Sequence, residues 1–175
     1  EDEAINIPAR LAELGAHLKA AAEKAGLPMP RFLMEPGRSI VADAGMTLYT
    51  VGSVKRIPGY KQYAAVDGGM TDNPRYALYQ SRYTVYHAHK SGSMERFDVV
   101  GRCCESGDII QPGVELPGDT CRGDILAVCT TGAYNYSMAS NYNRLPRPAV
   151  VMLTPDRIYE AVRRETFADL TGLDL

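Results

Sequence analysis

A chain of 175 residues and 19.1 kDa with 45% hydrophobic content holds about one domain and enough apolar material for a core, which argues against intrinsic disorder. Nineteen Lys and Arg against 21 Asp and Glu give a net charge of -2 and a pI of about 5.9 with no long run of one sign, so no nucleic-acid-coating surface is expected. The longest apolar stretches, Pro148 to Leu153 and Ile125 to Val128, fall far short of the roughly 18 residues that span a bilayer, and no membrane helix is expected.

The opening Glu1-Asp2-Glu3 has neither an initiating Met nor a basic-then-apolar signal pattern, so the chain is expected to begin inside a longer protein or after a trimmed tag. Pro8, the spacing of Leu11, Leu14, Leu18 and Ala22, and the stop at Gly26 and Pro28 predict an amphipathic helix over about 8 to 25. Phe32-Leu33-Met34 then reads as a short buried strand running into the tight loop Glu35-Pro36-Gly37-Arg38. A lone helix and a lone buried strand cannot cover their own apolar faces. Residues 1–45 are therefore expected to be the end of an α/β domain whose beginning is absent.

From Met46 the period becomes two. Strands are expected at Met46 to Ile57, Tyr63 to Val66, Arg82 to Ala88, Arg96 to Val100, Ile125 to Thr131 and Ala149 to Leu153. So many short strands close most naturally as an antiparallel barrel or sandwich over 46–154. Ile158, Ala161 and Val162 share one helical face, so Pro155 to Glu165 is expected as a short helix within a C-terminal segment of 155–175.

Four Cys in this length do not make a disulfide scaffold, and a reduced, cytoplasmic chain is favoured. Cys103, Cys104, Cys121 and Cys129 with His87 and His89 are six possible zinc ligands. No Cys-x-x-Cys occurs and a vicinal pair suits one tetrahedral ion poorly, so no metal is expected.

Four segments could carry chemistry. Glu35-Pro36-Gly37-Arg38-Ser39 ends a predicted strand and opens a helical turn, which fits a phosphate site or an ordinary β-to-α turn. Asp67 to Arg75 is too rich in breakers for regular structure and presents Arg75, with Tyr79 four residues on, as a carboxylate fork or a surface Arg. Gly101 to Asp108 sets the Cys104 thiol beside Glu105, a proton donor next to an ammonium ligand, or a buried inert Cys. Gly132 to Asn143 has Tyr134, Tyr136 and Tyr142 among small residues and could wall a planar cofactor or pack in a core.

The ordered set Glu35-Pro36-Gly37-Arg38, Asp67-Gly68-Gly69, Asp72-Asn73-Pro74-Arg75, Cys104-Glu105-Ser106-Gly107-Asp108 and Gly132-Ala133-Tyr134 closely resembles the C-terminal part of the diaminopimelate decarboxylase family, from about Arg31 to Thr166. The resemblance implies a mainly β fold preceded by the last helix and strand of a (β/α)8 barrel, with pyridoxal phosphate as cofactor. It implies conversion of meso-diaminopimelate to L-lysine and CO2 by a homodimer with shared sites. By position, Glu35, Pro36, Gly37, Arg38 and Tyr134 would hold the cofactor phosphate. Arg38, Arg75 and Tyr79 would hold the distal carboxylate, with Tyr134 also facing the substrate. Cys104 would be the proton donor and Glu105 a substrate ligand, both serving the partner subunit.

A substrate with a second amino-acid end needs Arg donors and an acid at that end, which agrees with this assignment. The family's Schiff-base Lys lies on an early barrel strand, whereas Lys19, Lys24, Lys55, Lys61 and Lys90 lie in other contexts, so a C-terminal fragment carrying half a site is expected. The rivals are another decarboxylase of this fold, for carboxynorspermidine or a basic amino acid, and a non-catalytic β domain used for association.

Overall fold

The computed structural model describes residues 5–175, so the Glu1-Asp2-Glu3 opening lies outside the described residues. The chain divides into two units, one ending at Pro36 and one over Gly37–Leu175. In the first, α1 (Ile7–Ala25) forms where the apolar spacing predicts it. The Asn6 side chain accepts from the Ala9 N–H at 3.0 Å, Pro8 sits in the first turn, where an N–H has no partner to lose, and Gly26 at φ 66° closes the helix on the Ala22 and Glu23 carbonyls. Phe32-Leu33-Met34 is a correction. These residues belong to no strand and are 50%, 73% and 50% exposed. A strand is completed by a neighbour's backbone groups, and among the described residues this unit offers no second strand.

In the second unit α2 (Arg38–Val41) leads through a single 3-10 turn into β1 (Met46–Ile57) and β2 (Lys61–Val66). There follow α3 (Arg75–Tyr79), β3 (Val85–His87), β4 (Met94–Val100), β5 (Ile109–Pro117), β6 (Ile125–Cys129) and α4 (Asn135–Met138). The six strands form one sheet in the order β3-β6-β1-β2-β4-β5. The edge strands β3 and β5 meet, so the sheet curls into a nearly closed barrel, the mainly β architecture that the period of two predicts. One pair departs from the antiparallel expectation: β2 and β4 run parallel, which the long crossover between them permits. Alternation along β1 turns Tyr49 and Val51 inward, where they meet the fully buried Phe97, Val99, Ile110, Leu116, Leu126 and Val128.

β5 is absent from the expected strands, and it runs through Pro112 and Gly113, residue types that ordinarily weaken a strand. The strand survives them through a bulge. Gly113 adopts φ 67° and its N–H goes to Asp98 Oδ1 at 2.8 Å, while the register with β4 shifts between Phe97 and Val99.

The C-terminal helix expected at Pro155 to Glu165 is also corrected. The chain there makes the hairpin β7 (Val150–Leu153) and β8 (Ile158–Val162), turned by Thr154 and Arg157, whose backbone groups bond at 3.0 Å. A short run with apolar residues three and four apart suits either period, and Pro155-Asp156 favours the turn. The helix lies further on, at α5 (Phe167–Thr171), opened by a capping box of Thr166 and Asp169.

Candidate functional site

The breaker-rich stretch Asp67 to Pro74 is a loop fastened at several points. The Asp67 carboxylate accepts from the Thr50 N–H at 2.9 Å, and the Ser140 N–H reaches the Thr71 carbonyl at 2.7 Å. Asp72 accepts from the Gly69 N–H at 2.9 Å and from the Tyr49 hydroxyl. Burial pushes the Asp72 carboxyl above its ordinary range, with the Tyr49 and Gly69 bonds opposing. Burial, and then the charge of Asp72, raise the Tyr49 phenol well above its usual value, so Tyr49 remains the donor of this pair.

That fastened loop ends in α3 and delivers Arg75. Its guanidinium carbon lies 4.6 Å from the Tyr79 ring centroid and 5.2 Å from that of Tyr134, while Nη1 donates to Met138 Sδ at 3.8 Å. Arg75 Nε is buried with no partner among the described residues. Arg38 approaches the same Tyr134 ring at 5.3 Å. Neither guanidinium pairs with a carboxylate among the described residues. Two cations and a phenol thus converge with donors to spare, which suits an anion.

The backbone brings Tyr134 to this place. Gly132 packs where a Cβ would stand 2.0 Å from the Val41 carbonyl oxygen, and its N–H bonds Ala42 at 3.0 Å, so the segment after β6 lies on the end of α2. Tyr134 itself is held at φ 70°, rare for a bulky residue. Its hydroxyl lies over Gly37, where an added Cβ would come within 2.0 Å. Of the expected phosphate loop, Gly37 and Arg38 therefore belong to this cluster, while Glu35 and Pro36 close the other unit.

Cys104 and Glu105 lie in a separate exposed turn. Cys103 and Cys104 both lie in irregular bends after β4, so strand alternation does not decide which thiol faces a site. Their environments still differ. Cys103 is partly buried, and burial and the nearby Asp108 raise its thiol pKa, whereas Cys104 is exposed. Glu105 Oε1 accepts from Ser106 Oγ and the Gly107 N–H, each at 3.3 Å.

No role for Asp108 or Asp72 follows from the sequence, although both stand inside the quoted motifs. Asp108, only 4% exposed, accepts from the Met70 N–H on Oδ1 and from the Cys103 N–H on Oδ2, both at 2.6 Å. One carboxylate therefore joins the Arg75 loop to the Cys104 turn.

Lys90 Nζ donates to Asp124 at 2.7 Å and Cys121 Sγ at 3.3 Å, filling the space between them with an ammonium. Among the described residues no three His, Cys, Asp or Glu side chains gather as a metal would need.

Residues 32–132 match the family described as pyridoxal-dependent decarboxylase, C-terminal sheet domain. The chain is 47% identical over 177 residues to the diaminopimelate decarboxylase of Bacillus subtilis (strain 168), an alignment covering 100% of this chain and 40% of that protein. It is 49% identical over 151 residues to the diaminopimelate decarboxylase of Halalkalibacterium halodurans, covering 85% of this chain and 34% of the relative. The solved diaminopimelate decarboxylase of M. jannaschii in co-complex with L-lysine superposes with a TM-score of 0.88 at 33% identity, over 100% of this chain and 40% of that one. The chain thus spans well under half the length of these relatives.

Proposed function

The chain belongs to the pyridoxal-dependent decarboxylases, of which it carries the C-terminal sheet domain, and from that membership we propose that it supplies the C-terminal part of a diaminopimelate decarboxylase. The enzyme converts meso-2,6-diaminopimelate to L-lysine and CO2. The observation that carries this reading is the convergence of Arg38 and Arg75 on Tyr134 above Gly37.

Those residues fit a phosphate and a carboxylate. Gly37 leaves the space that a Cβ would fill, the Tyr134 hydroxyl occupies its edge, and two guanidinium groups stand free of carboxylates among the described residues. Gly37, Arg38 and Tyr134, with Glu35 and Pro36 preceding, hold the phosphate of pyridoxal phosphate. When bound, pyridoxal phosphate would supply through its ring the electron sink that decarboxylation at the substrate α-carbon needs. Arg38, Arg75 and Tyr79 hold the distal carboxylate. The buried, unpartnered Arg75 Nε supports this, because a planar fork with an unsatisfied donor gains most from a bidentate anion. Tyr134 also faces the substrate. The Cys104 thiol delivers a proton to the α-carbon, and Glu105 binds the distal ammonium. Both act in the site of the partner subunit of a cytoplasmic homodimer. Residues 1–45 are the end of the barrel, 46–154 the β domain and 155–175 the C-terminal segment.

The test is substrate discrimination by the intact enzyme. Lysine and CO2 should form from meso-diaminopimelate, whereas CO2 release from L-lysine (leaving cadaverine) or L-ornithine (leaving putrescine) should be far slower, because neither has a distal carboxylate for the two Arg to hold. Preference for a basic amino acid or carboxynorspermidine would replace diaminopimelate with that substrate. Absence of any decarboxylation would leave an association domain.

A further inference from the structure

We infer that Asp108 is a positioning residue that sets the Arg75 loop and the Cys104 turn in one fixed relation, so that substrate binding and proton delivery depend on the same buried carboxylate. This rests on the functional reading above and assigns a residue to which that reading gives no role.

The two segments come from different parts of the chain. Loop 67–74 follows β2, and turn 101–108 joins β4 to β5. Each contributes one backbone N–H, from Met70 and Cys103, to one oxygen of Asp108 at 2.6 Å. Backbone bonds reinforce the junction: the Arg102 N–H reaches the Gly68 carbonyl at 3.1 Å, and the Gly101 N–H reaches that of Asp108 at 2.9 Å.

The carboxylate is clasped between two glycines, one from each segment. A Cβ on Gly69 would stand 2.5 Å from its Oδ1 and one on Gly101 2.2 Å from its Oδ2. Side chains at either place would force the segments apart. Met70 lies five residues before Arg75, whose cation reaches Tyr134, and Cys103 immediately precedes Cys104. An ionised carboxylate suits the task because it is acceptor-only. It can take both N–H bonds at once, and charge-assisted bonds are short and strong.

Asp108→Asn in the intact enzyme tests this. The amide keeps one acceptor oxygen but turns an NH2 against the other N–H, so one segment must loosen. Hydrogen exchange at Met70 or Cys103 should rise about tenfold or more, as loss of a charge-assisted bond implies, while amides of Val99 and Leu126 in the barrel core keep their protection. kcat/KM for meso-diaminopimelate should fall by about tenfold or more.

The kinetic loss should divide according to the segment freed. Loss at Met70 raises KM and is not additive with Arg75→Lys, whereas loss at Cys103 lowers kcat and is not additive with Cys104→Ala. A residue with a merely structural role would give additive effects. Gly69→Ala pushes on the same carboxylate from the loop side and should reproduce the exchange and the KM effect. It decides the matter if Asp108→Asn does not fold.

Unchanged exchange at both amides, or additivity with both Arg75→Lys and Cys104→Ala, would overturn the inference. If the wild-type enzyme makes no lysine, the functional reading fails, and the exchange measurement still decides whether Asp108 ties the two segments together.

Discussion

Tyr134 at φ 70° occupies a region that costs a bulky L residue on the order of 1–3 kcal/mol, and its surroundings hold it there: Gly132 locked onto the end of α2, and Gly37 beneath the hydroxyl. Strain of this kind concentrates at ligand sites, which agrees with the two guanidinium groups that reach the same ring. Arg75 is the more exacting of the two, since its fork is stacked on Tyr79 and Tyr134 and keeps a buried donor unpaired. Arg75→Lys replaces that fork with a point charge. It should chiefly raise KM for meso-diaminopimelate, with a loss of about 1–3 kcal/mol read from steady-state kinetics. An unchanged KM would remove Arg75 from carboxylate binding. Cys104→Ala should lower kcat about 100-fold or more, as loss of a general acid does, whereas Cys103→Ala should alter mainly packing. Exposure of Cys104 and partial burial of Cys103 favour that order, and a deeper kinetic lesion at Cys103 would reverse the assignment.

β3 is a strand of three residues at one edge of the barrel, too short to hold its own end, and a side-chain cluster completes it. His87 Nδ1 accepts from the His89 and Lys90 N–H groups at 3.2 and 2.9 Å, and its Nε2 lies 3.1 Å from Asp124. Asp124 also binds the Lys90 ammonium at 2.7 Å and the Cys121 N–H at 2.8 Å. Burial alone would raise the Asp124 carboxyl, but Lys90, the Cys121 N–H and His87 outweigh it and hold the group well below the usual carboxylate range. A depressed acid contributes stability that is present above its unfolded value of about 4 and is lost as pH falls towards the folded value. Asp124→Asn should therefore lower the urea midpoint near pH 7. The gap to wild type should narrow steadily below about pH 4. A gap independent of pH would show that the ionised carboxylate is not what holds this edge.

At the scale of the whole molecule the exposed Cys104-Glu105 turn and the Arg38–Arg75–Tyr134 cluster need not serve one site. Under the proposed shared-site dimer they serve two. The corresponding prediction is complementation: a Cys104→Ala chain mixed with one lacking the Schiff-base Lys should recover one working site per heterodimer, measured as lysine formation after subunit exchange. Failure to recover activity although subunits exchange would place the donor in its own subunit's site.

Local patterns were enough for much of this chain. The spacing of Leu11, Leu14 and Leu18 with Gly26 fixed α1, and the alternation through Tyr49 and Val51 marked β1, because an amphipathic period and a left-handed stop are properties of neighbouring residues. The ordered motifs likewise marked Gly37, Arg38, Arg75 and Tyr134 before any fold was known. Pairing lay beyond reach. Phe32-Leu33-Met34 has the composition of a strand but no partner strand among the described residues, β5 runs through Pro112 and Gly113 because β4 and Asp98 accept its bulge, and β8 exists because β7 lies beside it. The convergence of Arg38 and Arg75 on one phenol, and the hold of Asp108 on Met70 and Cys103, were decided only by tertiary structure. Except for the Cys103 bond, five residues from Asp108, these contacts join residues dozens of positions apart, and only the nearly closed sheet brings them within reach.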